Sequence, residues 1–86
     1  MTIPGFSVIA GDCRLLMPAQ GPFDLILADP PYGDTSLAWD RRVDGWLTLA
    51  CAALKPLGSL WVFGSLRSFM ATADQFADAG LRYAQE

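Results

Sequence analysis

Apolar residues come in short dense blocks along this chain, each closed by glycine, proline or a small polar residue. Met1 to Gly5 is a lead-in broken by Pro4-Gly5, and Phe6 to Ala10 reads as a strand that Gly11-Asp12 ends. A short helix from Cys13 to Met17 and a turn from Pro18 to Pro22 come next. The block Phe23 to Ala28 shows almost no alternation after Asp24, the pattern of a strand covered on both faces by helices; Asp24 itself reads as a solvated strand end. Pro30 and Pro31 have no N–H to offer a ladder, so that strand stops there. After a polar loop from Gly33 to Arg42, Trp39, Val43, Trp46, Leu47, Ala50 and Leu54 fall on one helical face. They predict a helix from roughly Asp40 to Leu54, stopped by Pro56 and Gly58. Ser59 to Gly64 reads as a second buried strand. Ser65 or Ser68 can cap the next helix, whose apolar face is Phe69, Ala73, Phe76 and Ala77 and whose C′ residue is Gly80. Leu81 to Ala84 looks like the start of a further strand.

Strand, helix, strand, helix, strand predicts an α/β fold: a parallel sheet of about three strands with two main helices and right-handed crossovers. Ligands in such sheets bind beyond the carboxyl ends of the strands, where Asp12 and Asp29 fall. With 86 residues, 52% of them hydrophobic and 17% charged, the chain has a core-forming composition and room for one small domain. No apolar run is long enough to span a bilayer, and no basic segment precedes an apolar one at the start, so a cytoplasmic location is expected. Cys13 and Cys51 lie far apart with no histidine to join them in a metal site, and read as reduced, packed thiols. The net charge of −3, with Arg41-Arg42 as the one adjacent basic pair, argues against this chain gripping nucleic acid unaided.

The chemistry concentrates at Asp29-Pro30-Pro31-Tyr32. Each proline forces the residue before it into an extended conformation, so Asp29 and Pro30 are both held extended. A carboxylate and a carbonyl fixed in this way can accept both hydrogens of an exocyclic amino group on a nucleobase. Its nitrogen, otherwise a poor nucleophile because its lone pair is delocalised, becomes more pyramidal and can attack a methyl group. Acceptors placed before the reaction supply the electrostatic preorganisation. Tyr32 can stack on the base, which must leave its helix to be reached. The competing interpretation is a strand ending in a Pro-Pro turn beside a stray tyrosine; the apolar strand before the motif and Tyr-Gly after it favour the chemical one.

Asp-Pro-Pro-Tyr after an apolar strand resembles the catalytic motif of amino-group DNA methyltransferases, which use S-adenosylmethionine. The resemblance implies a partial Rossmann-like fold, with Asp29, Pro30, Pro31 and Tyr32 as the catalytic residues and DNA as the partner. Asp in first place implies adenine N6 as the acceptor, where Ser leans towards cytosine N4 and Asn towards RNA or protein glutamine. Gly11-Asp12 after the first strand resembles the family's acid near the adenosine of the cofactor; Asp12 can equally be no more than a helix cap. Gly33 to Arg41 is similar to the corresponding loop of phage and prophage adenine methyltransferases. Its place just after the reaction motif makes the loop a candidate lid or DNA-contacting loop, with Arg41 and Arg42 as candidate DNA contacts, against the plainer reading of a solvated connection. Trp39 and Trp46 could stack on bases, but their phase with the apolar stripe favours core packing. Leu-Lys-Pro-Leu-Gly-Ser-Leu-Trp-Val resembles the helix-to-strand passage of many S-adenosylmethionine methyltransferases.

One departure stands out. The family binds its cofactor with a glycine-rich turn, Phe-x-Gly-x-Gly, and no two glycines here stand two apart. Some amino methyltransferases carry a permuted order, catalytic half first and cofactor half last. Residues 1–86 are then expected to be one partial domain, the catalytic half of a site-specific DNA methyltransferase, truncated inside a strand and inactive alone. The alternatives are a non-catalytic remnant or subunit needing a complementing C-terminal half or a homo-oligomer, or an RNA or protein amino methyltransferase.

Overall fold

A computed structural model describes residues 2–31, 33, 36–38 and 41–84, with the side chains of residues 2 and 3 left aside. The element order is β1 (Thr2–Ile3), β2 (Phe6–Ser7), α1 (Cys13–Gln20), β3 (Phe23–Ala28), α2 (Trp46–Ala53), β4 (Leu54–Val62) and α3 (Leu66–Asp78). β3 and β4 pair in parallel, and β1 and β2 form a separate antiparallel pair turning at Pro4-Gly5. The α/β character with a parallel ladder therefore stands, with two strands in that ladder rather than about three.

The first strand stops at Ser7, and Val8–Ala10, expected to continue it, are extended chain outside any ladder. Extended chain becomes a strand only where it docks on an edge, and Val8–Ala10 do not dock on the β3–β4 ladder. For the same reason residues 81–84 are not a strand. α1 runs on through Pro18 to Gln20, where a turn was expected. Proline there forfeits one bond near the helix end, and α1 packs along α2. The junction is tight: a Cβ on Gly21 would lie 3.0 Å from the Ala53 carbonyl oxygen.

α2 starts at Trp46, not near Asp40. Gly45 sits at φ 82, a left-handed conformation that no α-helix interior accommodates, so the stretch 41–44 stays irregular. Trp39, Asp40 and the loop residues Asp34 and Thr35 lie outside the described residues. Of the predicted stripe Leu47 and Ala50 are buried; the third buried apolar residue among those described is Ala53, outside that stripe, and Leu54 has passed into β4.

β4 begins at Leu54 and includes Pro56, which had been expected to mark a helix stop. Between the pairs Phe23↔Leu54 and Leu25↔Ser59, β3 advances two residues and β4 five. The surplus forms a bulge over Lys55–Gly58, where a missing N–H costs nothing and Leu57 stands 98% exposed. Lys55 Nζ reaches back 3.1 Å to Asp24 Oδ1, so Asp24 is ion-paired and not simply solvated. Beyond the bulge the register is regular, with Ile26, Leu27 and Ala28 opposite Leu60, Trp61 and Val62.

β3 was expected to be covered on both faces. Ile26 and Ala28 are half-buried, but Leu25 and Leu27 on the other face are 50% and 66% exposed. The apolar run was legible; whether something covers its second face is a matter of tertiary packing. α3 keeps its predicted ends. Ser65 Oγ accepts from the Ser68 N–H at 3.1 Å, Gly80 N–H donates to the Ala77 carbonyl at 3.0 Å, and Leu81 N–H donates to that of Phe76 at 3.1 Å. Its inward face is Phe69, Thr72 and Phe76; Ala73 and Ala77, placed with the two phenylalanines in the predicted stripe, are exposed. Cys13 is exposed and Cys51 half-buried, both free, so the expectation of packed thiols holds for Cys51 alone. No described helix is long and apolar enough to cross a membrane.

Candidate active site

β3 delivers its motif where a parallel strand delivers reactive groups, just beyond its carboxyl end. The last rung of the ladder is the Phe63 N–H on the Ala28 carbonyl, at 2.9 Å. Asp29 follows and is exposed, while Pro30 and Pro31 are half-buried. The two prolines form one wall of a cavity of about 60 Å³. Val62 at the end of β4 and Phe63 just beyond it, Val43 just before α2, Trp46 and Leu47 in its first turn, and Phe69 and Phe76 from α3 complete its apolar part. Phe69 and Phe76 tilt against each other with ring centroids 6.2 Å apart. The polar part comes from Arg42, Asp44, Thr72 and Gln75. The Thr72 hydroxyl donates to the Ser68 carbonyl at 2.8 Å. At about 60 Å³ the space is smaller than a purine ring system, so a base would lie across the mouth against the proline wall.

The two arginines part company. Arg42 lines this cavity and packs its stem over Gly33, where an added Cβ would lie 3.4 Å from Arg42 Cγ. Arg41 is absent from the lining and donates from Nη1 to the Leu37 carbonyl at 3.0 Å, bracing its own loop. Tyr32, assigned the stacking role, lies outside the described residues.

Asp12 is the N-cap of α1: its Oδ1 accepts from the Arg14 N–H at 2.9 Å. The Arg14 guanidinium also lies across the carboxylate, with Nη2 2.7 Å from Oδ2 and Nε 3.1 Å from Oδ1. The side-chain bonds from Arg14, and then its backbone bond, hold the Asp12 carboxyl below the usual carboxylate range. Arg14 Nη1 donates onward to the Asp44 carbonyl at 3.1 Å. Asp12 thus connects to the cavity rim through Arg14, a residue that sequence reasoning passed over; its signal was the Asp-x-Arg spacing at a helix start.

Could these residues hold S-adenosylmethionine? An acid that binds a ribose needs free acceptor positions, and Asp12 gives both oxygens to Arg14. Next to it, Ile9, Gly11, Leu16, Met17, Phe23 and Leu25 bound an open groove of about 380 Å³ that is mainly apolar. Neither feature matches the polar ribose and charged methionine ends, so the described residues do not form that cofactor's site by themselves. No protein-family model matches the chain, and no solved structure matches it.

Proposed function

We propose that this chain is the amino-group-orienting part of an S-adenosylmethionine-dependent DNA methyltransferase acting at adenine N6, within a partial Rossmann-like fold. One observation carries the reading. Asp29 stands exposed at the exit of β3, and the next two residues, both prolines, form the wall of a cavity at the carboxyl ends of the parallel pair. An extruded adenine laid against that wall brings its amino group to Asp29. The Asp29 carboxylate and the Pro30 carbonyl then accept the two amino hydrogens, and the stacking role falls to Tyr32 by its place in the motif. Arg42 supplies a cation at the rim for the nucleotide's phosphate, and Pro31 keeps the acceptor pair rigid. The bound cofactor supplies the electrophilic methyl group. This chain's share is acceptor orientation and not the holding of the donor, given how Asp12 is engaged.

The purified chain, alone and with a cofactor-binding half supplied as a separate chain, should be incubated with methyl-labelled S-adenosylmethionine and DNA, RNA or protein. Label at adenine N6 of DNA, abolished in Asp29→Ala while the far-UV circular dichroism is unchanged, supports the reading. Label retained in Asp29→Ala sinks it, and label confined to RNA or to protein glutamine moves the acceptor class.

The engagement of Asp12 by Arg14 favours a second reading, a non-catalytic subunit that works beside a separate cofactor-binding chain. Label appearing only after such a chain is added is its signature.

A further inference from the structure

Residues 41–44 are neither helix nor strand, and Gly45 at φ 82 separates them from α2. A segment without helix or ladder hydrogen bonds takes its position from what the rest of the chain offers it. Its position matters here, because Arg42, Val43 and Asp44 all line the cavity beside Pro30 and Pro31. On one side the Arg42 stem lies over Gly33, in the loop after the motif. On the other, Arg14 Nη1 donates to the Asp44 carbonyl at 3.1 Å.

Arg14 is itself held. Its Nε and Nη2 lie along the Asp12 carboxylate, with Nη2 2.7 Å from Oδ2 and Nε 3.1 Å from Oδ1. A guanidinium docked by that edge has a fixed plane, and its remaining nitrogen, Nη1, projects onward to Asp44. Asp12 caps α1, and α1 packs along α2. The clasp therefore ties the segment ahead of α2 to the helix that α2 already packs against. Arg14 does not line the cavity, and the Asp12 carboxylate balances its charge. The cation that the cavity presents is Arg42.

We propose that Arg14 is a positioning residue for the nucleotide's phosphate: held on Asp12, it fixes the Asp44 peptide and so sets where Arg42, two residues earlier, presents its guanidinium at the cavity mouth. The identity of the anion rests on the reaction proposed above; the strut from Asp12 through Arg14 to Asp44 does not. Asp12 then serves the site by holding Arg14 and not by binding a cofactor. Both side chains of the pair are partly exposed, at 42% and 37%, so the effect on binding is modest.

The test is an NMR titration of the full chain with deoxyadenosine monophosphate and, separately, with deoxyadenosine. The ratio of the two affinities isolates the phosphate contact, and Arg42→Gln should bring it close to one. Arg14→Gln and Asp12→Asn should each lower the ratio about twofold to fivefold, the scale of an exposed pair. The two changes shift net charge in opposite senses, and Asn caps a helix as well as Asp does, so α1 stays intact in Asp12→Asn. If overall charge or a direct bond from Arg14 to phosphate set the ratio, Asp12→Asn would raise it. In an Arg42→Gln background neither change should lower the ratio further. The Gly45 nitrogen shares a peptide with the Asp44 carbonyl, so its amide resonance should move in both variants before any ligand is added. A Gly45 resonance that stays in place overturns the strut. A ratio that rises in Asp12→Asn or is unchanged in Arg14→Gln overturns the positioning role. So does a wild-type chain that binds neither ligand or does not prefer the phosphate. None of these readouts involves methyl transfer or Asp29, so the proposal and the reaction assignment fail separately.

Discussion

Leu47 is the one large side chain among the buried residues described, at 7% exposed, beside Ala50 and Ala53. Leu47→Ala removes three carbons from an almost fully buried position. At about 0.8 kcal/mol per buried methylene, the transfer loss is about 2.4 kcal/mol. Large-to-small core changes cost about 2–5 kcal/mol because a cavity usually adds to that loss. Here Leu47 already lines the cavity of about 60 Å³ beside Phe69 and Phe76, so neighbouring rings can settle into the new space and the added term is small. The expected cost is therefore about 2–3 kcal/mol, in the lower part of that range. For so small a core this is a large share of the total stability. The assay is urea unfolding followed by circular dichroism at one fixed chain concentration. The midpoint should fall with the slope unchanged, and Leu57→Ala, at a 98% exposed position, should stay within about 0.5 kcal/mol of the parent. A Leu47→Ala midpoint equal to that of Leu57→Ala would show that α2 does not anchor the core.

Other consequences are local. Gly80→Ala forces a residue with a Cβ into φ 87 at the end of α3, at a cost of about 1–2 kcal/mol measured by the same unfolding assay. Asp12 has a folded-state pKa below its unfolded value, so its share of stability is present above the ordinary carboxylate range and lost as pH falls through the folded pKa. Arg14→Gln should reduce that acid-side loss, leaving the part due to the backbone N–H of residue 14, read from unfolding midpoints across an acid pH series. Burial pushes the Cys51 thiol above its usual pKa of 9.0. Its contribution is complete below that value and lost as pH rises through the folded pKa, and at pH 8 Cys51 should be alkylated by iodoacetamide more slowly than exposed Cys13, as peptide mass spectrometry would show.

What the sequence by itself determined is everything settled within about four residues. Pro30-Pro31 ends β3, Asp12 and Ser65 cap helices, and Gly80 closes α3, because missing N–H groups, short acceptor side chains and a left-handed backbone act where they stand. The motif's address at the carboxyl end of a parallel strand was legible for the same reason: the apolar run and its stop are contiguous. Tertiary structure decided the rest. Val8–Ala10 lack a strand because the chain does not bring them to an edge of the β3–β4 ladder, and Pro56 lies within a strand because a bulge relieves it of the ladder. Arg42 reaches the cavity while Arg41 braces Leu37, although the two are neighbours in sequence. Leu25 and Leu27 read as buried from their apolar run, yet burial is a property of what packs against a residue, and a run of apolar letters states the need for a cover without supplying one.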